Sequence, residues 1–482
     1  MGGGFGQSEN GRDMKKTTSD ERANLLTEKA KGFTPAYRTR LLIILFLMSA
    51  FNIADRMGLA MTSPAIKRDL LLSDTQLGML LGLGYAVFFA LLALPIARLA
   101  EHKSRTGIIA IAVAVFGVML ALCGFVQNFA QFFLCRIGVG AGDAGFNPPV
   151  ASLVGDHYPL HKRASAMGII WLGAPLGAIT GSILGGWFAQ NLGWRMWFVA
   201  LGLPAIVLAI VAFVTLRDPP RGMSDPLSIS TAKPPSMVKV IGFLWSKTSY
   251  RHILFGAALA AISMGALASF FPRFLVSTFH TTLSHTGMYL GLMSGSAMAM
   301  GMTLGGIGLD AVGRRERRWY VWGPSMGLLL CAPLFISAIL QQTVAASMVL
   351  LFFAHIALFV YWTPTLAMAQ NMVGANMRAS SGFIVSLVIS VIGMGIGPTL
   401  IGILSDRFAN FVFGAGNFAQ MCPGGEARFG ASTSLSHACA DASAAGVRYA
   451  LIAMMLPLIW ASLHYLLASR MVRQDLDTHY RE

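Results

Sequence analysis

Two stretches decide the reading of this chain: Ala97-Arg98-Leu99-Ala100-Glu101-His102-Lys103-Ser104-Arg105 and Gly306-Ile307-Gly308-Leu309-Asp310-Ala311-Val312-Gly313-Arg314-Arg315. In each, an acid follows a small residue by four positions and a base follows the acid by four. The small residue lets a neighbouring helix come close, while acid and base can latch two helices where they leave a membrane. One basic turn of this kind is common, but two at matching places in the two halves of a chain indicate a repeat.

Both stretches follow long apolar runs. The chain has 482 residues, 55% of them hydrophobic and only 12% charged, and a mean hydropathy of +0.63. Soluble domains carry about twice that charge. Runs long enough to cross a bilayer fall near 41–63, 75–99, 106–126, 129–154, 164–189, 194–216, 252–277, 285–311, 319–340, 343–371, 379–404 and 447–469. The expected fold is an all-α membrane protein of twelve transmembrane helices. The polar stretch 217–251, with Asp218-Pro219-Pro220-Arg221 and Lys233-Pro234-Pro235, divides it into six-helix bundles at 41–216 and 252–470. Residues 1–40 read as a disordered tail, 405–446 as a long polar loop and 471–482 as a second tail.

The net charge of +15 does not mark a nucleic-acid binder, because no basic module interleaved with aromatics is present. Lys and Arg instead concentrate in alternate loops and at both termini. Outside these stand Lys67, Arg68, Arg195, Arg273, Arg407, Arg428 and Arg448 at the opposite span ends, and Arg56 and Arg136 inside spans. That bias predicts a multi-pass inner (plasma) membrane protein with both termini, and the 217–251 linker, in the cytoplasm.

The repeated motif resembles that of the major facilitator superfamily, which carries it between spans two and three and again between eight and nine. Arg136, Gly140, Pro149, Asp156, Pro159, Arg163 and Gly168 fall at that superfamily's spacing in span four and its loop, and Gly193-Trp194-Arg195 opens span six as it often does there. The first copy departs from pattern with Ala97, Glu101 and His102. The resemblance implies two pseudo-twofold-related bundles, alternating access, a monomer and no cofactor. It assigns Arg98, Glu101, Arg105, Gly306, Asp310 and Arg314 to the cytoplasmic latches. Within the superfamily, Asn52-Ile53-Ala54-Asp55-Arg56 and Arg136-Ile137-Gly138-Val139-Gly140-Ala141-Gly142-Asp143-Ala144 look like the spinster branch, of which this chain reads as a bacterial homologue. Animal members of that branch export sphingosine-1-phosphate and lysophospholipids.

Asp55, Arg56, Arg136 and Asp143 are the candidate charge network, since charge inside a span is costly and marks a substrate or proton path. At 1.5 Å per residue, Asp55 and Arg136 lie at one depth, roughly 10–12 Å from the outer ends of their spans. Asp143, seven residues beyond Arg136, falls about 10 Å deeper on nearly the same face. Asp55 is therefore assigned to Arg136, Asp143 stands alone near the midplane as the better proton carrier, and Arg56 is left to a second acid or the substrate. The alternative is a permanent bridge without titration. Trp171, Met264, Phe270, Tyr361 and Trp362 are candidate cavity walls for an apolar chain.

Cys422 and Cys439 share the loop before span twelve and are a disulfide candidate, with two free thiols as the alternative. The glycines 177, 181, 185 and 186 look like close-packing positions. No Cys/His pattern has metal spacing, and no nucleophile with a positioned base suggests an enzyme. The expectation is a proton-coupled carrier of an amphipathic, lipid-like molecule. A carrier of sugars or organic anions, and a non-transporting receptor, remain open.

Overall fold

The structure, a computed structural model, describes residues 33–220, 223, 237–374, 377–414, 416–428 and 430–477. Among these it is helical, without strands. Eleven helices are long and apolar enough to cross a membrane: Pro35–Asp69, Asp74–Ala100, Arg105–Cys123, Ser165–Asn191, Trp194–Thr215, Thr248–Phe279, Leu283–Gly313, Trp319–Ile339, Val344–Asn371, Ser380–Phe413 and Thr433–Leu476. The remaining span, fourth in order, is broken into Phe129–Ala144 and Asn147–His157. Gly145 ends the first piece, and Pro148 lies in the first turn of the second, where its missing N–H is not needed.

Local signals set several helix starts. The side chains of Thr34, Ser104, Asn128, Thr282, Thr343 and Ser432 each accept a hydrogen bond from a first-turn N–H, and Ser73 with Gln76 forms a reciprocal capping box. The start of span one meets the end of span six, where Tyr37 Oη donates to the Arg217 carbonyl at 3.0 Å. Likewise Ser249 Oγ, opening span seven, donates to Asp475 at the end of span twelve at 2.5 Å. These contacts define a terminal end of the molecule. The opposite end carries the Cys422–Cys439 disulfide.

Span five packs on span one through its glycines. A Cβ at Gly177 would lie 2.2 Å from the Ala50 carbonyl oxygen, one at Gly181 2.5 Å from that of Ala54, and one at Gly185 2.7 Å from Gly58 Cα. Gly186 faces the second half instead, 2.4 Å from the Leu283 oxygen by the same measure. The halves also meet through spans two and eleven, where Gly78 abuts the Pro398 carbonyl and Gly402 that of Asp74.

Four segments differ from the sequence expectation. Span one already begins at Pro35, inside the expected 1–40 tail, and the last helix runs to Asp477, inside the expected 471–482 tail. The other two lie in the middle of the chain and before span twelve. Of 405–446, read as a loop, only 414–432 lies between the long helices, because span eleven continues to Phe413 and span twelve starts at Thr433. Polar side chains there find partners across the molecule, so the helices persist past their apolar runs. In the linker 217–251, Met237–Ser246 is a helix and Thr248 already opens span seven; residues 221–222 and 224–236, like 1–32 of the expected tail, lie outside the described residues.

The second half has a large apolar core, including Phe271, Phe335, Leu358 and Tyr465, and a small one at the disulfide end around Phe413, Phe418, Cys422 and Cys439. The first half has two. One, toward the terminal end, contains Leu41, Leu45, Val150 and Leu153, and the other, toward the disulfide end, contains Leu59, Ile66, Phe132 and Trp197. Along spans one and four Asn52 and Asp143 fall between them, and Asp55, Arg56 and Arg136 form a charged layer just on the disulfide-end side, among Ala54, Leu59, Phe132 and Val139.

Candidate functional site

Within that layer, Arg136 Nη1 donates to both carboxylate oxygens of Asp55, at 3.0 and 2.9 Å. Both side chains are 1% exposed, so the pair is sealed from solvent. A second pair lies beside it. Arg56 Nη2 bonds Asp143 Oδ2 at 2.7 Å, with 18% and 3% of the side chains exposed. Tyr85 Oη, from span two, contacts both Arg56 and Asp143, and Asn52 Nδ2 donates to the other Asp143 oxygen. The Arg56 guanidinium also lies over the Tyr85 ring, 4.4 Å from its centroid.

Asp143 is thus not isolated, and the acid that takes Arg56 is Asp143. The reason lies in side-chain direction. Helical side chains lean toward their own N-terminus, so Arg56 reaches back over the turn of Asn52, toward the depth of Asp143. Asp55, about 100° around the same helix, meets Arg136 instead. Two residues of this site were missed as chemistry. Tyr85 is an aromatic in an apolar run with nothing in the sequence to set it apart, whereas Asn52, a polar residue inside span one, was a visible signal.

The second half touches the site through sulfur. Met394 Sδ, in the π-helical segment Ile389–Ile396 of span eleven, lies 2.8 Å from Arg56 Nη1. Beside it is a cavity of about 30 Å³, room for roughly one water. Arg56, Tyr85 and Arg136 line it from the first half, and Gly265, Ser269 and Met394 from the second. Arg56 thus touches the second half directly, through Met394, while Arg136 reaches the same cavity.

The expected apolar wall is placed differently. Phe270 and Tyr361 have 0% exposure and pack inside the second-half core; Met264 and Trp362 are partly buried against that core, and Trp171 is 45% exposed. At Phe270 the difference is one step around the helix, since the neighbouring Ser269 is the residue at the cavity.

At the terminal end, Arg105 is 2% exposed. It pairs with Asp156 and with Asp218, the latter at 3.3 Å, and donates to the Pro219 carbonyl at 2.8 Å. It ties the start of span three to the ends of spans four and six. Arg98 is exposed, and the side chain of Glu101 lies outside the described residues. In the second copy Gly306 sits in a π-helical segment, Asp310 accepts from Tyr320 Oη at 2.9 Å, and Arg314 is exposed. Both copies brace helices within their own half. Cys422 and Cys439 are bonded, with Cα atoms 5.6 Å apart.

Comparisons with known proteins agree with this architecture. Residues 45–398 match the family model of the Major Facilitator Superfamily. A solved bacterial homologue of the human lysosomal transporter Spinster, in an inward-facing and unoccupied conformation, superposes with a TM-score of 0.82 at 28% identity, covering 92% of this chain and 99% of that one. An MFS-type efflux pump of Mycolicibacterium smegmatis is 28% identical over 76% of this chain and 84% of its own length. A hexuronate transporter of Bacillus subtilis is 25% identical over 77% and 88%. By its twelve spans and these matches, the chain belongs to the major facilitator superfamily, a family of transporters rather than enzymes, and within it resembles the spinster branch.

Proposed function

We propose that this protein is a secondary carrier working by alternating access, coupled to protons through Asp143 and Arg56, and that it moves an amphipathic molecule with a polar headgroup and an apolar chain. The observation that carries the reading is the Arg56–Asp143 pair, bridged by Tyr85 and contacted by Met394 of the opposite half. A carboxylate that can trade an Arg partner for a proton changes the contacts of Arg56. Because Arg56 reaches the other half, that exchange is felt where the halves must part. Asp55–Arg136, sealed among apolar residues of the disulfide-end core, is the fixed support of the moving pair.

The positive-inside distribution supports a plasma-membrane orientation with the terminal end in the cytoplasm and the disulfide outside. The two six-helix bundles, 41–216 and 252–470, are the rocking units. In this conformation they meet at the disulfide end, which matches the inward-facing conformation of the spinster homologue. The amphipathic substrate rests on the resemblance of residues 52–56 and 136–144 to the spinster branch. A second reading, transport of an organic anion, is favoured by the hexuronate relative and by the partly exposed Arg56 at the interface cavity.

Counterflow in liposomes separates these readings. Vesicles loaded with unlabelled lysophospholipid should accumulate the labelled molecule, and vesicles loaded with hexuronate should not accumulate labelled hexuronate. The opposite pattern selects the anion carrier; counterflow of neither removes the substrate assignment.

A further inference from the structure

At the disulfide end, away from the charged layer, a cavity of about 520 Å³ opens between the two halves. Lys67 and Asp406 in its wall belong to an ionic cluster around Asp74, which is 0% exposed. Asp74 accepts from Lys67 Nζ and from Ser405 Oγ, each at 2.6 Å, and pairs with Arg273. Asp406 uses both carboxylate oxygens on span two, accepting from the N–H groups of Asp74 and Thr75 at 2.9 and 2.8 Å. With the adjoining Arg68–Glu426 pair, four cations, Lys67, Arg68, Arg273 and Arg407, thus stand against three acids, Asp74, Asp406 and Glu426. The excess charge sits on Arg407, which is exposed and lines the cavity.

The uncharged groups point the same way. Gln76, Asn410 and Asn417 all line the cavity. Each uses its side-chain oxygen on a backbone N–H: Gln76 Oε1 accepts from Ser73 at 3.0 Å, Asn410 Oδ1 from Phe418 at 2.9 Å and Asn417 Oδ1 from Ala419 at 3.1 Å. Those bonds fix the amide orientation and leave each NH2 as a donor. Four side chains from three places, span two, span eleven and the disulfide loop, therefore offer donors around one space and no free carboxylate. Its volume lies in the range of small-molecule sites.

We propose that this cavity is a second ligand site, for a small polyvalent anion of the di- or tricarboxylate type, whose binding joins the two halves at the disulfide end. A ligand held by Gln76 of the first half and by Arg407 and Asn410 of the second binds only while that end is closed, so it shifts the population toward this conformation. The consequence for opening rests on the alternating-access reading; the binding itself does not.

The test uses the full-length protein in detergent with citrate as probe, followed by calorimetry and by hydrogen–deuterium exchange. Citrate should bind, should protect backbone amides within 73–78 and 416–425, and should bind at least about tenfold more weakly to Arg407→Ala, the loss expected for one charge-assisted hydrogen bond. Asn410→Ala should weaken it further. The site is overturned if citrate fails to bind the wild type, if Arg407→Ala with Asn410→Ala binds it equally well, or if protection appears only in spans one and four. These readouts need no transport, so their failure leaves the carrier reading standing, and failed counterflow with citrate bound does the reverse.

Discussion

Removing the carboxylate charge of Asp55 should unbalance the best-buried ion pair among the described residues. In Asp55→Asn, Arg136 keeps its charge at 1% exposure, and its Nε already lacks a hydrogen-bond partner. With charge centres about 4 Å apart, an effective dielectric near 20 gives about 4 kcal/mol of attraction. Breaking a buried pair from one side costs about 3–5 kcal/mol. The double variant Asp55→Asn with Arg136→Met removes both charges and should recover at least about 2 kcal/mol of that loss, because no uncompensated ion is left. Denaturant titration of the purified protein in detergent, arranged as a double-mutant cycle, measures the coupling. A single-variant loss below about 1 kcal/mol, or strictly additive losses in the double variant, would refute the view of this pair as a buried structural support.

Other consequences follow from particular contacts. Tyr85→Phe deletes the hydroxyl shared by Arg56 and Asp143 and should slow counterflow by about tenfold or more, the kinetic equivalent of a hydrogen bond to a charged group; wild-type rates would show the bridge to be idle. Gly177→Ala sets a methyl 2.2 Å from the Ala50 oxygen and should destabilise by about 1–3 kcal/mol. Gly168→Ala, with nothing within 4 Å, should gain up to about 1 kcal/mol in helix propensity, and equal thermal shifts for the two would contradict the packing of spans one and five. Alkylation of the unfolded chain before reduction should modify Cys123, Cys135 and Cys331 but not Cys422 or Cys439, while labelling of all five without reductant would exclude the bond.

The spans and the repeat were legible because hydropathy and loop chemistry are local properties. Asp55 with Arg136 was legible too, since counting residues inward fixes depth along a helix. Depth alone failed for Arg56, whose partner depends on the backward lean of a long side chain and on a hydroxyl from a third helix. The same limit applies at span seven, where hydrophobicity drew attention to Phe270 but rotation about the helix axis puts Ser269 at the cavity and Phe270 in the core. At 405–446, polarity read as loop was the polarity of helix ends bonded to neighbours, as Ser405 and Asp406 are to the start of span two.

The central claim is that Asp143 exchanges its Arg56 partner for a proton during transport. Its direct measurement is uptake of labelled lysophospholipid into liposomes with and without an imposed pH gradient, for wild type and Asp143→Asn. The account predicts that the gradient drives the wild type and leaves the variant at its gradient-free rate, with exchange still detectable. Equal acceleration of both by the gradient would contradict it.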